Sequence, residues 1–247
     1  MVLAAGKGSR LAPLTRYRPK PLCPVGTRPL IDHALGRISP WVGAVAVNLH
    51  HRGEMIDAHL PPHVHRSWER PVALGTAGAL GALKGWLDGR DVLLTNGDAW
   101  FSDGLDLRQM VTEWDRRRTR LLTVRSTGRG DFGDLWYCGV ALIPWSTIEG
   151  LQATPSGLYE VSWSHEHQAG RLDVVQADAD FVDCGTPGHY LAANLAHSGG
   201  RSVIDPTAEV DPSAMVERSV IWDGAVVDAG EVLVRAVRTA AITLLIR

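Results

Sequence analysis

Two glycines, Gly6 and Gly8, follow directly on the apolar run at residues 1–5. Glycine tolerates unusual φ and leaves backbone N–H groups bare, so a phosphate can approach such a loop. Two cations lie just beyond: Arg10, and Lys20 set between Pro19 and Pro21. The prolines stiffen that segment and would hold the ammonium at a fixed point. Arginine offers a fork to phosphate oxygens and lysine a compact charge. The spacing after Gly8 is not that of a dinucleotide fingerprint, and the pattern GxxxxGK[ST] is absent. Asp98 comes soon after the apolar run DVLLTN at 91–96. A carboxylate at the carboxyl end of a parallel strand is where open α/β sheets bind ligands.

The elements that must position these groups alternate along residues 1–197. Strands are expected at 1–5, 42–49, 63–69, 91–96, 120–126, 135–144 and near 171–177. Helices are expected at 30–38, after Pro29, and at 53–60, 75–87 and 106–118. That alternation predicts an α/β fold, a mostly parallel Rossmann-like sheet with helices on both faces. Near residue 198 the pattern changes. Apolar residues recur six apart, at Ile204, Val210, Val216 and Trp222, each followed by an acidic residue: Asp205, Asp211, Glu217 and Asp223. After Trp222 the register slips by one, to Val227 and Leu233. A six-residue period predicts a short left-handed β-helix of hexapeptide repeats over 198–247, following a catalytic domain at 1–197. About two to three coils cannot bury their own apolar face, so the tail should lean on the main domain or on another subunit, as in a homo-oligomer.

The 247 residues hold 25 Lys+Arg against 27 Asp+Glu, which argues against wide electrostatic capture of nucleic acid. Arg116, Arg117, Arg118 and Arg120 read as a solvated helix face. No run approaches the roughly 18 apolar residues of a membrane span, and the first apolar stretch stops at Gly6, too soon for a secretory leader. Cys23, Cys138 and Cys184 lie scattered, which predicts a reducing cytoplasm and no zinc cluster. His50–His51, His63/His65 and His165/His167 are expected on surface loops.

The stretch LAAGKGSRLAPLTRYRPKPLCPVGTRPLIDHAL at 3–35 resembles the signature of the sugar-1-phosphate nucleotidyltransferases. By that resemblance Leu3, Ala4, Ala5, Gly6, Gly8 and Ser9 wrap a nucleoside triphosphate. Arg10 contacts the part that leaves as pyrophosphate, and Lys20 supports the α-phosphate. LGTAGAL at 74–80 looks like the family segment that passes close to the base, with Gly75, Thr76 and Ala77 in contact. LLTNGDAWF and FVDCGTPGHYLAAN resemble the two segments whose aspartates, here Asp98 and Asp183, hold Mg²⁺. Gly139 and Glu160 fall at the sugar side. The implied reaction transfers a nucleotidyl group from an NTP to a sugar 1-phosphate. The E-K-P segment of many relatives is absent. NGD with Trp100, GDF at 130–132 and Gly139 look like N-acetylmuramate-1-phosphate uridylyltransferases, while GTAGAL and the tail look like mannose-1-phosphate guanylyltransferases. A non-catalytic sugar-nucleotide-binding homologue and a phosphocholine-type cytidylyltransferase are the alternatives.

Overall fold

The computed structural model of the chain describes all residues except 103, 104, 126, 127 and 129. The first 183 residues form strands β1 (Val2–Leu3), β2 (Pro24–Val25), β3 (Arg28–Pro29), β4 (Ala46–Leu49), β5 (His65–Trp68), β6 (Val92–Asn96), β7 (Ala99–Phe101), β8 (Arg120–Arg125), β9 (Leu135–Ile143), β10 (Asp173–Gln176) and β11 (Phe181–Asp183). Between them run helices α1 (Leu30–Ile38), α2 (Gly53–His59), α3 (Gly75–Leu87), α4 (Arg108–Thr112), α5 (Trp145–Ile148), α6 (Ser164–Gln168) and α7 (Pro187–His197). Seven strands form one sheet in the order β10-β8-β9-β6-β1-β4-β5. Its pairs are parallel except where β9 runs against β6 and β8. One apolar cluster joins the sheet to α1, α2 and α4, and a second joins it to α3 and α5. Both faces are therefore covered, as a parallel sheet requires.

Helix α1 buries Leu30, Ile31, Ala34, Leu35 and Ile38, one stripe of a 3.6-residue period. The helix expected over 106–118 is confined to Arg108–Thr112. Asp115 Oδ1 accepts from the backbone N–H of Arg117 and Arg118, and Trp114 Nε1 donates to the Arg118 carbonyl. These local bonds compete with helix continuation, and Arg116 turns to φ +58°. Arg116, Arg117 and Arg118 thus lie in a bend rather than on a helix face, and Arg120 opens β8, where it pairs with Asp173 at 2.6 Å.

After α7 the chain forms β12 (Val203–Ile204), β13 (Glu209–Val210), β14 (Met215–Glu217), β15 (Val220–Ile221), β16 (Val226–Val227), β17 (Val232–Val234), β18 (Ala236–Arg238) and β19 (Thr243–Leu245). Parallel pairing stacks β12 on β15 on β18, β13 on β16 and β14 on β17. Val203 pairs with Val220 and Val220 with Val237, a repeat of 17 residues. The missing eighteenth residue is lost before Trp222, not after it. Arg218 and Arg235 take φ +46° and +51° at equivalent corners. Ile221 follows, in register with Ile204 and buried among Ala225, Val227 and Leu233. Trp222 instead joins Val203, Val220 and Val237 in a cluster with Leu11, Leu14, Cys23 and Tyr190. At the corners, Asp205 and Asp211 each accept from the N–H and hydroxyl two residues on, at Thr207 and Ser213. Asp205 and Asp211 thus serve as turn formers, while Glu217 lies in β14 and Asp223 pairs with Arg18.

Candidate active site

Strand β1 delivers the chain to the glycine loop, and a chain of three hydrogen bonds, two of them buried, holds that loop in place. The Ala4 N–H donates to Asn48 Oδ1 at 2.7 Å, and Asn48 Nδ2 donates to Glu69 Oε1 at 2.7 Å. Glu69 Oε2 accepts the Leu74 N–H at 2.6 Å. Asn48 and Glu69 are 3% and 1% exposed, a depth at which polar groups persist only when hydrogen-bonded. The network ties the loop, β4 and the start of α3 into one frame. Gly8 stands at φ +62°, and a Cβ there would lie 3.0 Å from Lys20 Cβ. Only glycine lets the loop fold this closely over the lysine. Gly6 has open space beside it.

Lys20 Nζ lies 2.8 Å from Asp98 Oδ2 and 3.1 Å from Asp183 Oδ1. Arg10 Nη2 lies 3.5 Å from Asp183 Oδ2. The four charges that the sequence singled out therefore share one site. The carboxylates meet because β7 pairs antiparallel with β11, setting Asp183 opposite Ala99, the residue after Asp98. Glycine at 185 leaves room for the outer pair, since a Cβ would lie 2.9 Å from Asp183 Oδ2 and 3.1 Å from Arg10 Nη2. Burial works against the Lys20 ammonium, but Asp98 and then Asp183 together hold its pKa above the ordinary lysine value. At neutral pH the group is a fixed cation. Its side chain is 6% exposed, while Arg10 is 73% exposed.

Arg37 supports this arrangement from behind. Its Nη1 donates to Thr95 Oγ1 at 2.7 Å and Nη2 to the Ala99 carbonyl at 2.9 Å, bracketing the Asn96–Gly97–Asp98 turn. The guanidinium rests on the Phe101 ring, 4.4 Å from its centroid. Burial lowers its pKa to about 10. Neither Arg37 nor the Asn48–Glu69 pair was read from the sequence. Asn48 and Glu69 had left a signal, a polar residue inside the apolar run at 42–49 and a carboxylate closing the strand at 63–69. Arg37 left none beyond its place on α1.

The glycines of α3 admit a close approach of this chain's own backbone. A Cβ on Gly75 would come within 2.5 Å of the Ser156 carbonyl, and Cβ atoms on Gly78 and Gly81 would collide with the carbonyls of Thr154 and Gln152. The close approach they permit is made by this chain's own backbone at 152–156. Ala77 N–H donates to the Ser156 carbonyl at 3.0 Å, and Thr76 Oγ1 accepts the Leu158 N–H at 2.7 Å. That second bond sets the turn bearing Glu160 beside the start of α3. Glu160 is exposed, curls back over Gly157 and forms no ion pair among the described residues. Gly139 takes φ +85° at a break in the β8–β9 register, where a Cβ would press on the Asn96 side chain at 3.0 Å.

Among the described residues no three His, Cys, Asp or Glu gather as a metal cluster. Asp98 and Asp183 remain the candidate donors, at 35% and 46% exposure. Two hard oxygens with open space beyond are a set that Mg²⁺ accepts, since it completes its shell with water and phosphate. A cavity of about 610 Å³, lined by Trp41, Trp86, Trp114 and Arg116, opens at the amino ends of the strands, the opposite end of the sheet from this cluster.

Residues 1–130 match the family model described as nucleotidyl transferase. Over 159 residues the chain is 33% identical to the N-acetylmuramate alpha-1-phosphate uridylyltransferase of Caulobacter vibrioides, covering 58% of this chain and 66% of the relative. Over 107 residues it is 33% identical to the bifunctional protein GlmU of Methanococcus maripaludis, covering 43% of this chain and 26% of the relative. The chain thus spans less than two thirds of either relative's length. The mannose-1-phosphate geranyltransferase structure from Thermus thermophilus covers 99% of this chain and 93% of its own, with TM-score 0.70 and 18% identity. A putative glucose-1-phosphate thymidylyltransferase from Bacillus anthracis covers 79% and 93%, with TM-score 0.66 and 21% identity. At such identities the likeness is one of fold.

Proposed function

The chain belongs to the nucleotidyl transferase family, and on that premise we propose that it transfers a nucleotidyl group from an NTP to a sugar 1-phosphate. The observation that carries the reading is the convergence of Lys20, Arg10, Asp98 and Asp183 beside the glycine loop. A phosphate oxygen of the sugar 1-phosphate attacks the α-phosphorus, the bond to the bridging oxygen breaks, and pyrophosphate leaves with that electron pair. The nucleophile is already an anion, so no general base is required. Catalysis is then positioning and charge neutralisation. Lys20 supports the α-phosphate and Arg10 the departing pyrophosphate. Leu3, Ala4, Ala5, Gly6, Gly8 and Ser9 wrap the triphosphate, with Gly75, Thr76 and Ala77 toward the base. Gly139 and Glu160 face the sugar. Asp98 and Asp183 would hold Mg²⁺, which when bound supplies neutralisation between two anionic substrates.

The same proposal takes 1–197 as the catalytic domain. It takes 198–247 as a short left-handed β-helix whose hexapeptides lose one residue per coil, with a homo-oligomer through the tail as its further role. It places the enzyme in the cytoplasm; no described helix is long and apolar enough to cross a membrane. The test is a panel of nucleoside triphosphates crossed with sugar 1-phosphates, read by Mg²⁺-dependent pyrophosphate release. UTP with N-acetylmuramate 1-phosphate is the first pair, after the name of the Caulobacter relative. Turnover with at least one pair is expected. No turnover with any pair, together with tight binding of a nucleotide-sugar, would overturn the enzyme reading in favour of a binder.

A further inference from the structure

The segment that carries Lys20 is gripped at both ends by side chains from the last quarter of the chain. Upstream of the lysine, Arg18 Nη2 lies 2.8 Å from each carboxylate oxygen of Asp223. The Arg18 guanidinium also sits over the Trp222 indole, 4.7 Å from the ring centroid. Downstream, Trp222 Nε1 donates to the Tyr190 hydroxyl at 2.9 Å, and that hydroxyl donates to the Pro24 carbonyl. Asn194 adds two bonds, Nδ2 to the Pro24 carbonyl at 3.4 Å and Oδ1 from the Gly26 N–H at 3.1 Å. Trp222 therefore touches both grips at once, and it is 3% exposed.

We propose that Trp222 and Asp223, from the tail, are positioning residues for Lys20. The proposal rests on the reading of Lys20 as the α-phosphate contact. Between the two grips there is little slack. Pro19 and Pro21 flank the lysine, the Leu22 N–H bonds the Pro19 carbonyl at 2.8 Å, and the Cys23 N–H bonds the Lys20 carbonyl at 3.0 Å. A shift at Arg18 or Pro24 is therefore passed to the Lys20 backbone. On the loop side a Cβ on Gly8 would already lie 3.0 Å from Lys20 Cβ, so there is no room for the lysine to move that way. The Arg18–Asp223 pair is partly solvent-exposed, so it contributes little to stability. What it fixes is a place, because two carboxylate oxygens and a ring face leave the guanidinium one position. For a reaction that depends on placement, a misplacement near 1 Å costs on the order of a hundredfold in rate.

The test uses the full chain with Trp222→Phe and Asp223→Asn, singly and combined. Phenylalanine keeps a ring beneath Arg18 and removes the N–H to Tyr190; asparagine keeps the shape and removes the charge. Three quantities are read: kcat and KM from pyrophosphate release, the rate at which an amine-acylating reagent labels Lys20 by mass spectrometry, and the thermal midpoint. The combined variant is expected to lose roughly ten- to a hundredfold in kcat with KM for the triphosphate nearly unchanged. Lys20 should be labelled several-fold faster because its grip is loosened. In a Lys20→Met background the same pair of changes should add less than about twofold, since residues acting through one group do not add. Unchanged kcat with unchanged labelling overturns the clamp, as does a full further loss in the Lys20→Met background. Turnover that survives Lys20→Met itself overturns the reading on which the clamp rests. Asp223→Asn, a surface change, keeps the question answerable should the tryptophan variant fail to fold.

Discussion

A lysine shared by two carboxylates is a charge held ready for a third, anionic partner. Removing one carboxylate should be felt in chemistry before it is felt in folding. Asp98 is one-third exposed but Lys20 is buried, so losing this carboxylate costs on the order of 1–2 kcal/mol while Asp183 stays beside the ammonium. As the proposed metal ligand it acts where transition-state charge is neutralised, which is worth several kcal/mol. Asp98→Asn is therefore expected to reduce Mg²⁺-dependent pyrophosphate release by at least about a hundredfold while the unfolding midpoint falls by only a few degrees. Near-normal turnover would remove Asp98 from the reaction. Arg10 and Lys20 were legible because they lie in the same stretch as the glycine loop, and Asp98 and Asp183 because their segments resemble those of the family. Asn48, Glu69 and Arg37 were not. Asn48 and Arg37 work by bonding atoms distant along the chain, Ala4 for Asn48 and the Thr95–Ala99 turn for Arg37, and Glu69 acts on the loop through Asn48. No local pattern announces such a bond.

At the scale of elements, α1 and α3 run over the residues that periodicity predicts, 30–38 and 75–87. The expected helix at 106–118 shrinks because Asp115 satisfies backbone donors that a helix would need elsewhere. Helix α3 matches the expectation in extent. Its glycines at 75, 78 and 81 form one stripe, and the backbone at 152–156 lies against it. Alanine is the better helix former by about 1 kcal/mol, so propensity alone favours replacing Gly78 or Gly81, though not Gly75, which stands at φ +71°. Contact decides. Gly85 has nothing within 4 Å of a built Cβ, and Gly85→Ala should stabilise by up to about 1 kcal/mol. At Gly78 the Cβ would meet a backbone carbonyl, which cannot swing away as a side chain can. Gly78→Ala should cost about 1–3 kcal/mol net, read as a lower urea midpoint at unchanged slope. Were both variants stabilised alike, the packing of 152–156 against α3 would be refuted. Because that packing also sets Thr76 on Leu158, Gly78→Ala should disturb the wall beside the candidate base and sugar contacts.

The whole molecule closes around a junction that includes neither the sheet nor the stacked tail alone. Leu11, Leu14, Val25, Tyr190, Trp222 and Val237 share one apolar cluster, so the signature loop, α7 and the tail are packed together. The sequence marked the change of pattern near 198, but not that Trp222 would leave the repeat to face α7. A hexad register reports which residues alternate; it cannot report which neighbour they meet. At the edge of the junction His33 Nε2 lies 3.0 Å from the Val25 carbonyl, and its ring meets that of His197 edge-on at 6.2 Å. Burial holds the His33 imidazole below the ordinary histidine value. The Val25 carbonyl opposes that shift, and Arg28, His197 and Arg37 add to it. The folded state therefore binds this proton less readily than the unfolded chain. Stability from His33 is fully present above the ordinary imidazole value and is lost as pH falls through the lower folded value. His51 and His65 shift the same way, chiefly by burial, and add to the slope. Carboxylates such as Asp115 and Glu166, held low by hydrogen bonds to Arg117 and Arg171, act only in a more acidic window. Thermal midpoints measured from pH 8 to pH 5 should fall steadily below about pH 6.5. His33→Gln keeps a donor for Val25 and removes the titration, so its midpoint should fall less over that range. A variant whose midpoint tracks the parent at every pH would show that the acid sensitivity of the junction lies elsewhere.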